Sequence, residues 1–454
     1  MEKIVMLRRK IQKIITDYFQ SESNKILIIN GARQIGKSFI IRYEGKRHFE
    51  NYIEVDLIED KQGAQVFAGV KDKEDFYLRL SSIAGDRMKE KHDTLVFLDE
   101  IQAYPELLTL LKFLKDDDRF TYIVSGSQLG IALNRTLSKP GGRIQVIKMY
   151  PLDFEEFLWA NGVGNEFIDH ARNCFERRES LDRPLHDRMM DLFRKYVLVG
   201  GLPDAVDTFI RTRNIVEVRA VHQEIYNLYK EDAAQYDREH KLLIHRVYEL
   251  VPSNLENKKK RVMFNKIEEK KIARAEKYAQ EFEYLVQSGI CNEVKAVSNP
   301  KFPLVESEGK NLLKLYLNDP GLLTGLLYRY NIAAVMDDAK SINLGSVYEQ
   351  VVSCELTAHG FPLFYYDNKK KGEVDFLVDD YDNLSVMPVE VKSGKDYTKH
   401  LSLDTFVNNP EYNINRAVVL SNKREVLAVG KILYFPVYYA MFLQPSAVPE
   451  RISL

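Results

Sequence analysis

The chain contains little cysteine, and its three cysteines, Cys174, Cys291 and Cys354, stand far apart among 454 residues. It has no Cys-x-x-Cys pair and no His-Glu-x-x-His motif. A disulfide framework or a structural zinc site is therefore not expected, and buried thiols in a reducing compartment are the simpler interpretation.

The sequence also lacks long apolar runs, since none approaches the roughly 18 residues that a membrane helix needs. The first ten residues lack the long apolar segment and the small-residue cleavage site of a signal peptide. The net charge is −1, so no overall basic field indicates a nucleic-acid partner, and such a contact would need a local patch. We therefore expect a cytoplasmic protein without a membrane partner, and the length suggests about three domains.

Short apolar stretches alternate with helical patterns over residues 1–150, which predicts an α/β fold. A mostly parallel sheet covered by helices on both faces has this pattern. One of the intervening helices is expected at Pro105–Lys115, where leucines form an apolar stripe. The predicted strands are Lys25–Asn30, Tyr52–Asp56, Thr94–Leu98, Phe120–Ser125 and Arg143–Met149.

A glycine-rich loop follows the first predicted strand and opens a helix. Its residues fit the pattern G-x4-G-K-[ST], and strand, loop and helix are the context in which this pattern holds phosphates. The glycines let backbone N–H groups turn toward phosphate oxygens, and the helix N-terminus adds partial positive charge. The expected ATP-binding residues are Gly31, Ala32, Arg33, Gln34, Ile35, Gly36, Lys37, Ser38 and Phe39.

Within this loop, Lys37 should neutralise the β- and γ-phosphates, and Ser38 should offer its hydroxyl to Mg²⁺. A second element supports the site, because the apolar strand Leu95–Leu98 leads directly into Asp99 and Glu100. Ligands of open α/β sheets bind at the carboxyl ends of the strands. We expect Asp99 to hold the magnesium through water and Glu100 to act as the general base for the attacking water.

The next strand ends in Ser125-Gly126-Ser127, where Ser127 could reach the γ-phosphate or the attacking water. An ordinary turn rich in Ser and Gly is the alternative. Just before the fifth strand, Arg143 could act on the nucleotide of a neighbouring subunit in a self-assembled protein, or it could be a surface cation.

A third group of charged residues lies near the C-terminus. Asp375 and Glu390 fall on adjacent predicted strands and could converge on one divalent cation, and Glu349 could join them from the predicted helix Val347–Leu356. Lys392 stands two residues beyond Glu390 and therefore faces the same side of the strand. The pattern resembles that of PD-(D/E)XK nucleases, and a charged surface cluster on a hairpin is the alternative.

The middle of the chain is basic, and Tyr284–Val294 then predicts a helix, a glycine stop and a strand. This order fits a winged-helix region that would place lysines against DNA phosphates. A charge run on a helix is also typical of a solvated face. The basic residues are Lys258, Lys259, Lys260, Arg261, Lys266, Lys270, Lys271, Arg274 and Lys277.

Residues 1–150 resemble the AAA+ superfamily, and the whole chain resembles bacterial and archaeal proteins that join an AAA-type ATPase domain to a C-terminal domain of unknown function. The resemblance implies an ATPase core at 1–150, a helical lid at 151–235, a winged-helix-like region at 236–330 and a nuclease-like α/β domain at 331–454. It also implies that Gly201 and Pro203 lie over the adenine, although a helix-breaking turn would explain them too. The motifs that carry it are Gly31–Ser38, Phe97–Gln102, Ser125–Ser127, Pro151–Phe157, Tyr196–Pro203, Gly372–Phe376 and Glu390–Gly394.

Three hypotheses for function follow from these patterns. The first is hydrolysis of ATP with Mg²⁺ that drives or gates a conformational change, with DNA as a candidate partner. The second is a Mg²⁺-dependent DNA nuclease whose ATPase regulates access. The third is a nucleotide-dependent switch that binds a protein partner and hardly turns over.

Overall fold

The computed structural model describes residues 6–130, 142–236, 241–257, 260–268, 275–307, 313–337, 342, 344–368, 370–394 and 396–448. The chain divides into two compact units. The N-terminal unit consists of Arg8–Tyr150 together with the short segment Gln287–Ile290, and the other described residues form the C-terminal unit.

The N-terminal unit is a parallel sheet with helices between its strands. The five strands have the order β2-β3-β4-β1-β5, and every neighbouring pair is parallel. The five predicted strands and the predicted α/β fold are therefore confirmed. The elements are α1 Ile11–Gln20, β1 Ile26–Asn30, α2 Lys37–His48, β2 Asn51–Asp56, α3 Leu57–Gln62, α4 Lys73–Ala84, β3 Thr94–Asp99, α5 Pro105–Asp117, β4 Thr121–Gly126 and β5 Ile144–Lys148.

The sequence forms these elements because the strands are covered on both faces. Every residue of β1 and β3 is buried, which explains their continuous apolar runs. Helix α5 starts with Pro105 at a position where a missing N–H costs nothing, and its leucines pack in the same core as Val96 and Leu98 of β3.

The C-terminal unit begins with helices. They are α6 Phe154–Ala160, α7 Asn165–Arg177, α8 Arg183–Val199, α9 Pro203–Thr212, α10 Ile215–Tyr236, α11 Lys241–Glu256, α12 Phe264–Glu268 and α13 Ala279–Gln287, whose last residue belongs to the N-terminal unit. Residues 151–235, for which the resemblance implies a helical lid, are mostly helical. In the part of the chain that the structure describes, no helix combines the length and the apolar character needed to cross a bilayer.

A mixed sheet of eight strands follows, in the order β12-β13-β11-β10-β9-β8-β6-β7. Its core is formed by apolar residues of the central strands packed against the helix Leu401–Val407. The elements are β6 Cys291–Val297, β7 Leu313–Leu317, α14 Pro320–Tyr328, α15 Ala333–Met336, α16 Leu344–Ala358, β8 Phe364–Asn368, β9 Gly372–Asp380, β10 Ser385–Lys392, α17 Leu401–Val407, β11 Ala417–Ser421, β12 Leu427–Val429 and β13 Ile432–Pro436.

The middle region is continuous with this sheet. The predicted helix, glycine stop and strand at 284–294 are present as α13, Gly289 in a left-handed conformation, and β6. However, β6 pairs with β7 on one side and with β8 on the other. A winged helix stays a prediction for residues 236–330, whereas the strands of this region belong to the same sheet as those beyond residue 331.

A buried pair of basic side chains stabilises the helices of the C-terminal unit. Arg219 of α10 donates from Nη1 to the carbonyl oxygen of Leu198 at 2.9 Å and to that of Gly321 at 3.0 Å. The same nitrogen donates to Nδ1 of His222 at 3.1 Å, so Nε2 of the imidazole carries the proton that bonds the Val199 carbonyl at 2.9 Å. Burial, helped by the charge of Arg219, lowers the pKa of His222 to about 3.

Protonation of His222 should destabilise the C-terminal unit as the pH falls. The pKa is about 6.5 for an unfolded chain and lower in the fold, so the stability that the neutral ring contributes is complete above pH 6.5 and is lost progressively below it. We expect the protonation of His222 by itself to contribute a loss of about 2 kcal/mol in the free energy of unfolding between pH 7.5 and pH 5, on top of the contributions of other groups whose pKa changes on folding. Urea unfolding followed by the fluorescence of Trp159, the only tryptophan, reports on this unit.

The matched control is His222→Gln, because an amide can accept from Arg219 and donate to the Val199 carbonyl at every pH. When the pH is lowered from 7.5 to 5, the change in the free energy of unfolding should be about 2 kcal/mol more favourable in this variant than in the wild-type chain, because the other titrating groups are the same in both. The same change in both proteins would contradict the assignment to His222.

Candidate functional site

The order of the strands brings three loops of the N-terminal unit together. Strand β4 lies between β1 and β3, and all three run in the same direction. Asn30 at the end of β1 pairs in register with Gly126, the last residue of β4. Because parallel strands end at one edge, the loop after β1, the acidic pair after β3 and the serines after β4 are neighbours.

The loop between β1 and α2 requires glycine at two positions for different reasons. A Cβ on Gly31 would overlap the carbonyl oxygen of Met149 and lie 2.6 Å from Cδ1 of Ile35, so the position is fixed by close approach. Gly36 has a φ of 90° immediately before α2, a conformation that side chains disfavour. A loop of this kind leaves its amides free to surround an anion at the helix N-terminus.

Arg9 supports the loop from the side. Its buried guanidinium donates from Nη1 to the Ile35 carbonyl oxygen at 3.1 Å and from Nη2 to the Tyr150 carbonyl oxygen at 2.6 Å. The loop is thereby joined to the chain that follows β5. Sequence reasoning missed this role, because a lone arginine that precedes the motif carries no signal of its own.

Lys37 is buried, and its ammonium closes the loop. Nζ donates to the carbonyl oxygens of Gly31 at 3.1 Å and Ala32 at 2.8 Å, and lies 3.9 Å from Oε1 of Glu100. Charged oxygens make stronger hydrogen bonds with an ammonium than neutral carbonyls do. An anion that enters the loop can therefore replace the two carbonyl oxygens as the hydrogen-bond acceptor of the Lys37 ammonium.

Ser38 and Asp99 are brought together as the sequence predicted. The Asp99 carboxylate is buried and accepts hydrogen bonds from the hydroxyls of Ser125 and Ser38. Burial raises the pKa of Asp99, and the two serine hydrogen bonds only partly offset it. One carboxylate and one hydroxyl oxygen fit Mg²⁺, which is commonly held by one or two carboxylates together with phosphate oxygens of the substrate.

Glu100 stands in a left-handed conformation, with φ of 55° and ψ of 51°, which is uncommon outside glycine and frequent at functional sites. Oε2 accepts from the Ser127 hydroxyl at 2.9 Å and from the Gln102 amide, which also bonds Ser127 Oγ at 3.1 Å. Burial raises the pKa of Glu100, but the charge of Lys37 and these hydrogen bonds outweigh it and hold the pKa below its usual value. The carboxylate is therefore ionised and fixed in direction.

The predicted residues Lys37, Glu100 and Ser127 are thus brought together, and two of their partners were not assigned roles from the sequence. Gln102 orients Glu100, while the Ser125 hydroxyl bonds Asp99 and accepts the Glu100 backbone N–H at 3.3 Å. Both lie within the motifs Phe97–Gln102 and Ser125–Ser127. Gln102 is a polar residue two positions after Glu100, and Ser125 is one two positions before Ser127, and this spacing was the signal available in the sequence.

The remaining residues of the predicted loop differ in exposure. Ala32 and Ile35 are buried, whereas Gln34 is exposed and has a φ of 61°. Phe39, in the first turn of α2, has 37% of its surface exposed. Arg33 is half-buried, and its charge contributes to the lowered pKa of Glu100.

Gly201 and Pro203 lie in the C-terminal unit, where packing accounts for both. A Cβ on Gly201 would overlap the Leu152 carbonyl oxygen, and the Gly201 N–H donates to Oδ2 of Asp319 at 2.6 Å. Pro203 is the first residue of α9. Contact of Gly201 and Pro203 with an adenine stays a prediction.

In the N-terminal unit, half-exposed Arg143 forms an ion pair of 2.8 Å with Asp116.

The predicted C-terminal carboxylates meet where the pairing of β9 and β10 ends. The last registered pair is Val389 with Phe376. Beyond it, the Asp375 N–H donates to Oε2 of Glu390 at 3.3 Å, and the Val391 N–H donates to Oδ2 of Asp375 at 2.9 Å. The two carboxylates thus replace the backbone ladder and come to lie side by side.

Lysines surround these carboxylates. Lys392 Nζ lies 2.6 Å from Oε1 of Glu390, and Lys260 forms an ion pair with Glu349, which also accepts from the Tyr316 hydroxyl at 3.2 Å. We call this group the carboxylate–lysine cluster. It consists of Lys260, Lys314, Glu349, Asp375, Glu390 and Lys392.

Burial and neighbouring charges change the pKa of two carboxylates in the cluster. Burial, with the charge of Asp375 adding to it, raises the pKa of Glu390 to about 8 and also raises that of Glu349. Lys314 is fully buried and lies 2.6 Å from Oε1 of Glu373. Within the described ranges, no group of three or more His, Cys, Asp or Glu residues is arranged to hold a metal ion.

Two cations of the basic stretch face acidic partners inside the C-terminal unit rather than solvent alone. Besides Lys260 with Glu349, Arg261 lies 3.6 Å from Oδ2 of Asp367. Lys266 and Lys277 are exposed. The other basic residues of the stretch lie outside the described residues, namely Lys258, Lys259, Lys270, Lys271 and Arg274.

Comparison with known proteins gives three family matches and a distant relative. Residues 23–158 match a family described as AAA domain, residues 190–331 a domain of unknown function, DUF8612, and residues 344–439 another, DUF4143. The chain is 24% identical over 187 residues to an uncharacterized protein of Haemophilus influenzae, which is 41% of either chain. It thus matches about two fifths of the length of that relative.

Solved structures give weaker similarities. A Walker-type ATPase of Pyrococcus abyssi is 15% identical with a TM-score of 0.41, and the match covers 71% of this chain and 96% of that one. The Hsp104–ADP complex of S. cerevisiae is 11% identical with a TM-score of 0.30, over 78% of this chain and 42% of that one. The family match at residues 23–158 includes the glycine-rich loop and the acidic pair Asp99-Glu100, and this stretch of the chain is therefore an AAA domain.

Proposed function

We propose that the N-terminal unit binds ATP with Mg²⁺ and hydrolyses it, and that this cycle drives a conformational change. The observation that carries the proposal is the meeting of Lys37, Ser38, Asp99 and Glu100 at one edge of the sheet. Each residue has the chemistry that phosphoryl transfer requires at that place.

The chemistry follows from the environment of each group. The amides of the loop and Lys37 would hold the β- and γ-phosphates, while Ser38 and Asp99 would hold Mg²⁺, which neutralises charge on the phosphate oxygens. Glu100 would accept a proton from the attacking water. When Lys37 turns from the loop carbonyls to phosphate oxygens, its charge is shared, so the pKa of Glu100 rises and the carboxylate becomes a better base.

Two substitutions should separate binding from turnover. Lys37→Ala should lower ATP affinity at least about 30-fold, because truncation of one partner of a buried charged pair costs about 2 kcal/mol or more. Glu100→Gln should retain ATP affinity and lower kcat about 100-fold or more, because it removes the general base. Titration with a fluorescent ATP analogue measures affinity, and phosphate release measures turnover.

The control for Lys37→Ala is Lys46→Ala, which removes an exposed lysine from the same helix. Unchanged affinity in Lys37→Ala would contradict the proposed site, and unchanged hydrolysis in Glu100→Gln would remove Glu100 from its role. If the wild-type chain binds ATP tightly but hardly hydrolyses it, the nucleotide-dependent switch becomes the better description.

Ser127 is expected to act through Glu100. Loss of its hydrogen bond to the carboxylate should lower kcat about tenfold in Ser127→Ala, since a hydrogen bond to a charged group contributes about 1.5 kcal/mol. The same change made in the Glu100→Gln background should have a much smaller effect. Equal effects in both backgrounds would instead indicate that Ser127 acts directly on the γ-phosphate or on the attacking water.

A second activity is proposed for the carboxylate–lysine cluster, namely binding of a divalent cation and cleavage of DNA. The specific observation is that Asp375 and Glu390 lie side by side beyond the last pair of the ladder, with Lys392 on Glu390. Glu349 is paired with Lys260, and these carboxylates are not arranged around a metal ion as they stand. Asp375 and Glu390 would therefore hold the cation, Glu349 would leave Lys260 to join them, and Lys392 would position a water molecule beside the scissile phosphate.

Lys260 forms an ion pair with Glu349, the carboxylate that would bind the cation together with Asp375 and Glu390. Lys260→Met should therefore raise the affinity for Mn²⁺ about tenfold or more, because a buried positive charge next to Glu349 is removed. Calorimetric titration with Mn²⁺ measures it. The matched control is Lys230→Met, which removes an ammonium from the ion pair with Glu249 at the surface of the same unit.

Equal affinity in the two methionine variants would contradict the cation site. Incubation of the wild-type chain with duplex DNA and Mg²⁺, with Lys392→Ala as the inactive control, tests cleavage. Cleavage that survives in Lys392→Ala would exclude this lysine from the chemistry.

A further inference from the structure

A short segment far along the chain belongs to the unit that holds the glycine-rich loop. Residues Gln287–Ile290 are grouped with Arg8–Tyr150, while the residues on either side of them are not. Ser288 and Ile290 are buried. The predictions from sequence treated this stretch as the glycine stop between a helix and a strand, and gave it no part in nucleotide binding.

Gly289 lies against the first residues of the loop. Its φ is 77°, and a Cβ at this position would lie 3.1 Å from the backbone nitrogen of Ala32 and 3.7 Å from the carbonyl carbon of Gly31. A separation of 3.1 Å is tighter than nine in ten real Cβ contacts, so a side chain here would require the loop backbone to shift. Glycine therefore allows the segment to approach the backbone of the loop.

A second contact reaches the loop after β4. A Cβ on Gly130 would come closer to Oε1 of Gln287 than van der Waals contact allows. Gly130 follows Ser127 by three positions, and Ser127 bonds Glu100. The segment thus lies against both the start of the phosphate-binding loop and the loop that carries Ser127.

The carbonyl groups of Gly31 and Ala32 hold the ammonium of Lys37. An anion that accepts hydrogen bonds from this ammonium would replace the carbonyl oxygens of Gly31 and Ala32, the two residues that Gly289 contacts. We propose that Gln287–Ile290 is a positioning element of the nucleotide site, in which Gly289 fixes Gly31 and Ala32 so that the loop amides and Lys37 meet the phosphates. This inference rests on the proposed ATP site.

The covalent chain gives the segment a further consequence. Val286 of α13 precedes it and Cys291 of β6 follows it, and both belong to the C-terminal unit. The segment is therefore joined at both ends, through the backbone, to elements of the C-terminal unit.

Gly289→Ala tests the inference, and Gly162→Ala is a closely matched control. Gly162 has the same φ of 77°, but a Cβ there would meet nothing within 4 Å. Both variants place alanine at the same positive φ, whereas only Gly289→Ala adds a contact with the loop. We expect Gly289→Ala to lower the affinity for ATP and to raise KM about tenfold, because small displacements of binding groups are costly, while Gly162→Ala leaves both unchanged.

Three outcomes have defined meanings. Equal ATP affinity in the two alanine variants overturns the role of Gly289 while leaving the proposed ATPase intact. Absence of ATP binding by the wild-type chain overturns both. If both variants lose affinity in proportion to their loss of thermal stability, backbone strain explains the effect and the inference is wrong.

A second measurement needs no variant and applies if Gly289→Ala does not fold. In the wild-type chain with Mg²⁺, hydrogen exchange at the amides of residues 287–291 should slow when a non-hydrolysable ATP analogue binds. The amides of residues 161–164 around Gly162 serve as the reference. Unchanged exchange at 287–291, with ATP bound as shown by slower exchange in the loop Gly31–Ser38, would overturn the inference.

Discussion

The side-by-side alignment of β1, β4 and β3 is the constraint on which the candidate nucleotide site depends. Asn30 pairs with Gly126, and Leu98 pairs with Val124. The loops that follow β1, β4 and β3 therefore begin at the same level of the sheet. A slip of one residue in β3 would turn the carboxylate of Asp99 to the opposite face. The hydrogen bonds of Ser125 to Asp99 and of Ser127 to Glu100 are possible only because β4 lies between the other two strands.

The two charged sites of the chain differ in how their lysines are held. Lys37 bonds neutral carbonyl oxygens and lies at a longer distance from Glu100, so its charge is available to an incoming anion. Lys260, in contrast, is paired with a buried carboxylate, and a charge left alone in such a place is costly. The first arrangement is suited to receive phosphate, and the second is close to charge balance within itself.

The sheet of the N-terminal unit and its polar edge could be predicted from the sequence because local signals determine them. Apolar runs located the five strands, and the order of strand, loop and helix located Lys37 and Ser38. Glu100 and Ser127 were found since each directly follows a strand. The contacts of Arg9, Gly289 and Lys260 were not predicted, because their partners are distant in sequence and a single residue of these types carries no periodic pattern.

Distance along the chain also explains why the pairing of the strands in the middle region could not be predicted. The local pattern of helix, glycine and strand was predicted, but the partner of β6 is β8, which lies beyond a helical stretch. Hydrophobic periodicity indicates that a strand exists and does not indicate which strand it pairs with.

The continuity of the eight-stranded sheet has a practical consequence for dissecting this protein. A fragment that begins after residue 330 would lack β6 and β7 and would present the edge of β8 to solvent, while the complementary fragment would present the edge of β6. Unpaired edges of this kind pair with other chains and promote aggregation. Expression fragments that keep Cys291–Leu317 together with the later strands avoid such edges.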